Sequence, residues 1–169
     1  QVIRDGPCNY LLLNEGQAYH SYYCGGDPLQ GPTVWSMMLA APYFTDQPVS
    51  VQRVAVIGLA AGTIAKHFTD VFGPIQIDGI ELDPAIVETA ETYFGLAEPN
   101  IHAIVGDGRY ELERLTGPYD VITLDAYKVP YIPWHLTTRE FFAAAYDRLA
   151  ENGVLAVNVG RAPDDTRLV

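Results

Sequence analysis

The sequence predicts an α/β fold built on a parallel sheet with helices on both faces. Three observations carry that reading. From residue 51 onward, segments of strand and helix character alternate, which is the pattern of a parallel sheet with crossover helices. Val54-Ala55-Val56-Ile57 is a short continuous apolar run, and Val121-Ile122-Thr123-Leu124 is nearly one; both suit strands buried on two faces. Asp83-Pro84 marks a helix start, with Asp83 as N-cap and Pro84 at the first helical position.

The front of the chain has another texture. Asp5-Gly6-Pro7 and Asn14-Glu15-Gly16 are turn signals, with Tyr10-Leu11-Leu12-Leu13 between them and a tyrosine-rich stretch after them. A hairpin or meander fits. Gly25-Gly26-Asp27-Pro28 and Gly31-Pro32 then break the pattern. The chain therefore divides into an N-terminal β segment, residues 1–32, and an α/β domain, residues 33–169.

Within the second unit, residues 33–41 read as a helix, because Val34, Met37, Met38 and Ala41 recur at spacings of three and four. Pro42 stops or bends it. Residues 54–57 form the first strand, Gly58 to Gly62 a small-residue loop, and residues 63–71 a helix. Residues 75–80 form the next strand. The helix from Pro84 places Ile86, Ala90, Tyr93 and Phe94 on one face, and Gly95 ends it. Strand 101–105, short helix 108–115 and strand 119–124 follow. Thr137 and Glu140 have the spacing of a capping box. Phe142, Ala145, Tyr146 and Leu149 form the stripe of the helix behind it. Asn152-Gly153 closes that helix, and residues 154–159 make one more strand.

Composition narrows the function. The 169 residues are one domain's worth of chain, since a domain takes roughly 100–200 residues. Lys+Arg is 10 and Asp+Glu is 21, a net charge of −11. Binding to a nucleic-acid backbone needs clustered Lys and Arg, so no nucleic-acid partner is expected. The same field favours cationic ligands. Cys8 and Cys24 are too few for a disulfide scaffold or a four-cysteine zinc site. One bridge between them is open, but two reduced thiols in a cytoplasmic protein are expected. His20, His67, His102 and His135 have no metal-ligand spacing, so no metal is expected. No apolar run approaches the ~18 residues of a membrane span. The chain opens on Gln1 without Met, which suggests a fragment.

Ligands of open α/β sheets bind outside the carboxyl ends of the strands, so those ends are where chemistry is sought. The first leads into Gly58-Leu59-Ala60-Ala61-Gly62-Thr63, whose small residues let a ligand approach a helix N-terminus. The second ends at Glu81, about 20 residues past the glycine loop, where an acid accepts hydrogen bonds from ribose hydroxyls. The third ends in Gly106-Asp107-Gly108, where a carboxylate can receive an exocyclic amine. The fourth ends at Asp125, the place for a general base or a cation anchor.

Ile57-Gly58, Glu81-Leu82-Asp83-Pro84, Gly106-Asp107-Gly108, Tyr119-Asp120-Val121-Ile122 and Asp125, in this order and spacing, resemble the spermidine synthase (polyamine aminopropyltransferase) family. Leu13-Asn14-Glu15-Gly16-Gln17 is similar to that family's N-terminal strand segment. The likeness spans residues 11–159. Ile132-Pro133-Trp134-His135-Leu136 and the residues to Phe142 look more like a divergent branch fused to membrane transporter-like segments. The resemblance implies a Rossmann-like, class I S-adenosylmethionine methyltransferase-like fold. It implies decarboxylated S-adenosylmethionine as donor and a small cationic amine as acceptor. Glu81 would then hold the ribose and Asp107 the adenine amine, with Gly58, Gly62 and Gly108 around the donor. Asp125 would take the proton of the attacking amine. Gln17 would lie near the substrate entrance, and Trp35 and Tyr127 would line the amine side.

The departures are as specific. Ala61 stands where the family loop carries an acid for the donor's amine, and Lys128 stands where a second acid follows Asp125. The last strands of the family's sheet would lie beyond Val169. Two further readings stay open: a methyltransferase using S-adenosylmethionine itself, and a non-catalytic adenosyl- or polyamine-binding module. A homodimer and membrane segments in the parent chain also remain open.

Overall fold

A computed structural model describes residues 1–13, 19–24, 33–47, 50–127 and 131–160. The front segment is a three-stranded antiparallel sheet in the order β1-β2-β3: β1 (Val2–Asp5), β2 (Cys8–Leu12) and β3 (Tyr19–Cys24). Gly6 turns the first hairpin at φ 54°, in the left-handed region that glycine tolerates. The second turn signal, Asn14 to Gly16, lies outside the described residues.

Register places Cys8 directly opposite Cys24, and the two form a disulfide across the pair. The expectation of reduced thiols is corrected. Spacing in the sequence leaves pairing open; the antiparallel register brings the two side chains to the same side of one sheet.

α1 (Val34–Met37) is capped by Thr33, whose side chain accepts from Ser36 N while Ser36 reaches back. The longer helix read over residues 33–41 is not formed. Residues Met38–Tyr43 tighten into a 3₁₀ turn that contains Pro42. Proline has no N–H for the carbonyl four residues back and its ring crowds that carbonyl, so α-helical bonding stops there.

The second sheet has five parallel strands in the order β6-β5-β4-β7-β8. In chain order the elements are β4 (Arg53–Ile57), α2 (Thr63–Phe72), β5 (Gln76–Glu81), α3 (Pro84–Tyr93), β6 (Ile101–Val105), α4 (Gly108–Arg114), β7 (Tyr119–Leu124), α5 (Arg139–Tyr146) and β8 (Leu149–Val157). β4 starts in the middle, and the chain winds first through β5 to β6, then through β7 to β8. The direction reverses between β4 and β7, so a crevice opens at their carboxyl ends.

Alternation along β4 explains the two-sided burial. Val54 and Val56 join a core with Phe68, Ile77 and Phe94. Ala55 and Ile57 join a second core with Leu112, Ile122 and Phe141. Among the described residues, Asp78 is the one buried acid. It accepts from Arg53 at 3.1 Å and from the Tyr119 hydroxyl at 2.7 Å, and it meets His102 Nδ1 at 3.1 Å. Burial raises its pKa, but these partners together hold it below the ordinary carboxylate value.

Two boundaries differ from the sequence expectation. The cap of α5 is Thr138, which accepts from Phe141 N at 3.2 Å, not Thr137. The Thr137 hydroxyl instead donates to Trp134 O at 2.9 Å, closing the 3₁₀ turn Trp134–Leu136. Asn152-Gly153 does not end a helix either. It lies inside β8, with Asn152 at φ 64°, where the register against β7 shifts between Tyr119 and Val121. The same left-handed residue that can end a helix can also make a bulge.

Candidate active site

A cleft of about 730 Å³ opens at the carboxyl ends of β4 to β7. The N-terminal sheet forms its far wall, through Tyr19 and His20. β3 is stitched to the glycine loop and the first residue of α2 by three hydrogen bonds. Ala61 N donates to Ser21 Oγ at 2.9 Å, Tyr22 N donates to Thr63 Oγ1 at 2.9 Å, and that hydroxyl donates to Tyr22 O at 2.7 Å.

Gly58 turns the chain out of β4 at φ 88°, and a Cβ there would lie 2.6 Å from the Asp125 carbonyl oxygen. Only glycine allows β4 and β7 to approach this closely at the switch point. Gly62 also has a left-handed φ, but it packs against Leu96 and does not border the cleft. Gly108 does border it, and a Cβ there would meet Ile57 Cγ2 at 2.6 Å. Ala61 is only 1% exposed and belongs to the core, so this position offers the cleft no polar group.

Glu81 leaves β5 with both carboxylate oxygens already steadied. Oε2 accepts from Ala60 N at 2.9 Å and Oε1 from Asp83 N at 3.1 Å. Each oxygen keeps a second lone pair, so the group is fixed and still able to accept two more hydrogen bonds. Asp107 caps α4, its Oδ1 accepting from Arg109 N and Tyr110 N at 3.0 Å each. Its Oδ2 lies 2.9 Å from His135 Nε2.

Asp125 stands at the switch point. Trp35 Nε1 donates to Oδ2 at 2.9 Å, and Asn158 Nδ2 donates to Oδ1 at 2.7 Å. Burial pushes its carboxyl above the ordinary carboxylate value, against the opposing pull of Asn158, Trp35 and the nearby His20. Burial likewise pulls the His20 imidazole below its ordinary value, while Asp125 and Glu81 pull it up. Tyr127 borders the cleft, and its hydroxyl donates to Asn158 O at 2.7 Å and accepts from Gly160 N at 2.6 Å. Gln17 and Lys128 lie outside the described residues.

The structure thus brings Gly58, Glu81, Asp107, Gly108, Asp125, Trp35 and Tyr127 to one cleft and leaves Gly62 behind it. Sequence reasoning missed His20, His135 and Asn158. Their place depends on how β3 and the 3₁₀ turn pack at the cleft and on β8 pairing beside β7, which no local pattern reports. Among the described residues no group of three side chains is arranged to hold a metal ion.

No protein-family model matches the chain. A polyamine aminopropyltransferase of Vibrio vulnificus is 36% identical over 126 residues, covering 72% of this chain and 41% of that protein. The chain belongs to the spermidine synthase family. It spans less than half the length of the curated members it matches. A crystal structure of a probable spermidine synthase from Corynebacterium glutamicum superimposes with a TM-score of 0.79 at 22% identity, covering 93% of this chain and 59% of that one. A spermidine synthase in complex with the transition-state analogue AdoDATO superimposes at 0.62 with 24% identity, covering 73% and 43%. Class I methyltransferases share the fold, with TM-scores of 0.55 and 0.54. The Rossmann-like, methyltransferase-type architecture is therefore the family's own.

Proposed function

We propose that the chain is the donor-binding and catalytic part of an aminopropyltransferase acting on a small cationic amine. In this reading decarboxylated S-adenosylmethionine lies across the sheet ends, with Glu81 on its ribose and Asp107 on its adenine amine. Asp125 orients the acceptor amine and takes its proton. The amine nitrogen then attacks the aminopropyl carbon bonded to the sulfonium. The C–N bond forms, the C–S bond breaks, and its electron pair stays on sulfur in neutral methylthioadenosine. A protonated amine has no lone pair to attack with, so a proton acceptor at that point is a chemical requirement, and a carboxylate meets it.

The observation that carries this reading is the setting of Asp125. It is half-buried at the switch point and tethered through both oxygens, with a raised pKa that brings it nearer the working range of a general base. Trp35 and Tyr127 would face the amine and supply cation–π attraction, about 0.5–2 kcal/mol each. Gln17 would stand at the entrance. One observation favours a second reading. With Ala61 buried, the family's contact to the donor's amine end is missing, so ordinary S-adenosylmethionine and methyl transfer would be less strongly excluded.

A mass-resolved assay separates the two. The chain is incubated with decarboxylated or ordinary S-adenosylmethionine and a panel of amines. The proposal expects a 57 Da aminopropyl addition (C₃H₇N, roughly, as bond-balance arithmetic for replacing one N–H hydrogen) from the decarboxylated donor only. Methyl addition would favour the second reading, and no product despite ligand binding would reject both.

A further inference from the structure

A base at Asp125 must give up its proton before the next turnover, and the side chains that hold it cannot receive one. Trp35 Nε1 and Asn158 Nδ2 both donate to the carboxylate, and neither nitrogen is an acceptor. The Tyr127 hydroxyl is engaged on both sides, by Asn158 O and Gly160 N. Histidine is the side chain whose ordinary pKa lets it take and release protons near neutral pH, and two histidines border the cleft. His135 is bonded to Asp107 at 2.9 Å. His20 is the other, and neither of its ring nitrogens has a hydrogen-bond partner among the described residues.

The fold fixes where His20 stands. The next two residues of β3, Ser21 and Tyr22, are bonded to Ala61 N and to Thr63, so this stretch of wall is tied to the loop that leaves β4. The charges that act on the ring are Asp125, from the end of β7, and Glu81, from the end of β5. Asp83 borders the same cleft, and Tyr19 precedes His20 on its own strand. The side chain is half-buried, so it meets both the cleft and water. Burial lowers the imidazole and raises the Asp125 carboxyl. The two acidities move toward each other, which lets a proton pass between them without a large energy step.

We infer that His20 is the proton-relay residue of this cleft, receiving from Asp125 the proton of the attacking amine and passing it to solvent. The inference rests on the aminopropyl-transfer reading above. Two cations, a sulfonium and an ammonium, become one secondary ammonium and a neutral thioether, so each turnover releases one proton. The ammonium N–H bond breaks, its electron pair stays on nitrogen for the attack, and an O–H bond forms on Asp125. That O–H bond then breaks as an N–H bond forms on the ring. The imidazolium, held beside the carboxylates of Asp125 and Glu81, loses the proton to water or buffer. Both side chains return to their starting forms, and nothing is oxidised or reduced.

The test follows turnover of decarboxylated S-adenosylmethionine with the best acceptor of the amine panel, in the wild-type chain, His20→Ala and His20→Gln. The expected result is a kcat lowered about tenfold or more in both variants. The KM for the amine and the affinity for methylthioadenosine should change little. Free imidazole added to the assay should restore kcat in His20→Ala, in proportion to its unprotonated fraction, and leave the wild type unaffected. An unchanged kcat in both variants would overturn the inference. So would a loss that appears in KM and methylthioadenosine affinity and that imidazole does not restore, since His20 would then be wall and not relay. Melting curves report misfolding. If His20→Ala does not fold, His20→Gln, whose amide is bulkier and does not titrate, decides by its split between kcat and KM. A wild-type chain without turnover would bring down the aminopropyl-transfer reading and this inference with it, whereas an active wild type with equally active variants removes this inference alone.

Discussion

At the scale of single residues, Asp125 separates function from stability. Its pKa is raised mainly by burial. A carboxyl raised in the folded state stabilises the fold fully below its unfolded value, about 4, and loses that contribution as pH rises through the folded value. At neutral pH the half-buried charge is therefore a cost. Asp125→Asn is expected to abolish product formation while leaving the melting temperature at pH 7.5, roughly, unchanged or higher; a clear drop in melting temperature would contradict this. In the proposed role of base, Asp125 would work only when ionised, so kcat/KM should fall on the acid side with an apparent pKa above the ordinary carboxylate value. An acid limb at about 4 or below would contradict the assignment. Glu81, Asp107 and Asp125 were legible in the sequence because each follows a strand whose apolar run is itself legible. His20, His135 and Asn158 were not. Each meets its acid over 28 or more positions of sequence where bonded, and nothing local encodes such a meeting.

At the scale of elements, the alternation of strands and helices from β4 to β7 could be read almost to the residue, because buried parallel strands and capped helices carry strong local signals. The misread boundaries share one cause. Thr137 and Thr138 are both competent caps, and the choice between them is made by the 3₁₀ turn upstream. Asn152-Gly153 favours left-handed backbone whether it ends a helix or bulges a strand, and pairing with β7 decides. The choice between a Cys8–Cys24 bridge and two free thiols stayed open for a similar reason, since it follows from the β2–β3 register. It closes a separation of 16 residues, a loop for which the chain-entropy estimate is about 3 kcal/mol. Reduction, or Cys24→Ser, is expected to lower the melting temperature by roughly 6–12 °C. Since β3 holds the glycine loop through Ser21 and Thr63, ligand affinity should weaken as well. A melting temperature insensitive to reductant, with the bridge shown broken by a thiol count, would refute the structural role of the bridge.

At the scale of the whole molecule, the net charge of −11 and the parallel sheet converge on the same end of the fold. Glu81, Asp107 and Asp125 all border one cleft, and an acidic field would draw the cationic donor and acceptor of the proposed reaction toward it. No described helix is long and apolar enough to cross a membrane. The central claim is that this cleft is an adenosyl-nucleoside site organised around Glu81, and calorimetric titration of methylthioadenosine into the wild-type chain and Glu81→Gln tests it most directly. The expected result is saturable binding by the wild type and an affinity loss of about tenfold or more in the variant, the size of one or two charge-assisted hydrogen bonds. Absence of both heat and thermal shift in the wild type, or equal affinity in Glu81→Gln, would contradict it.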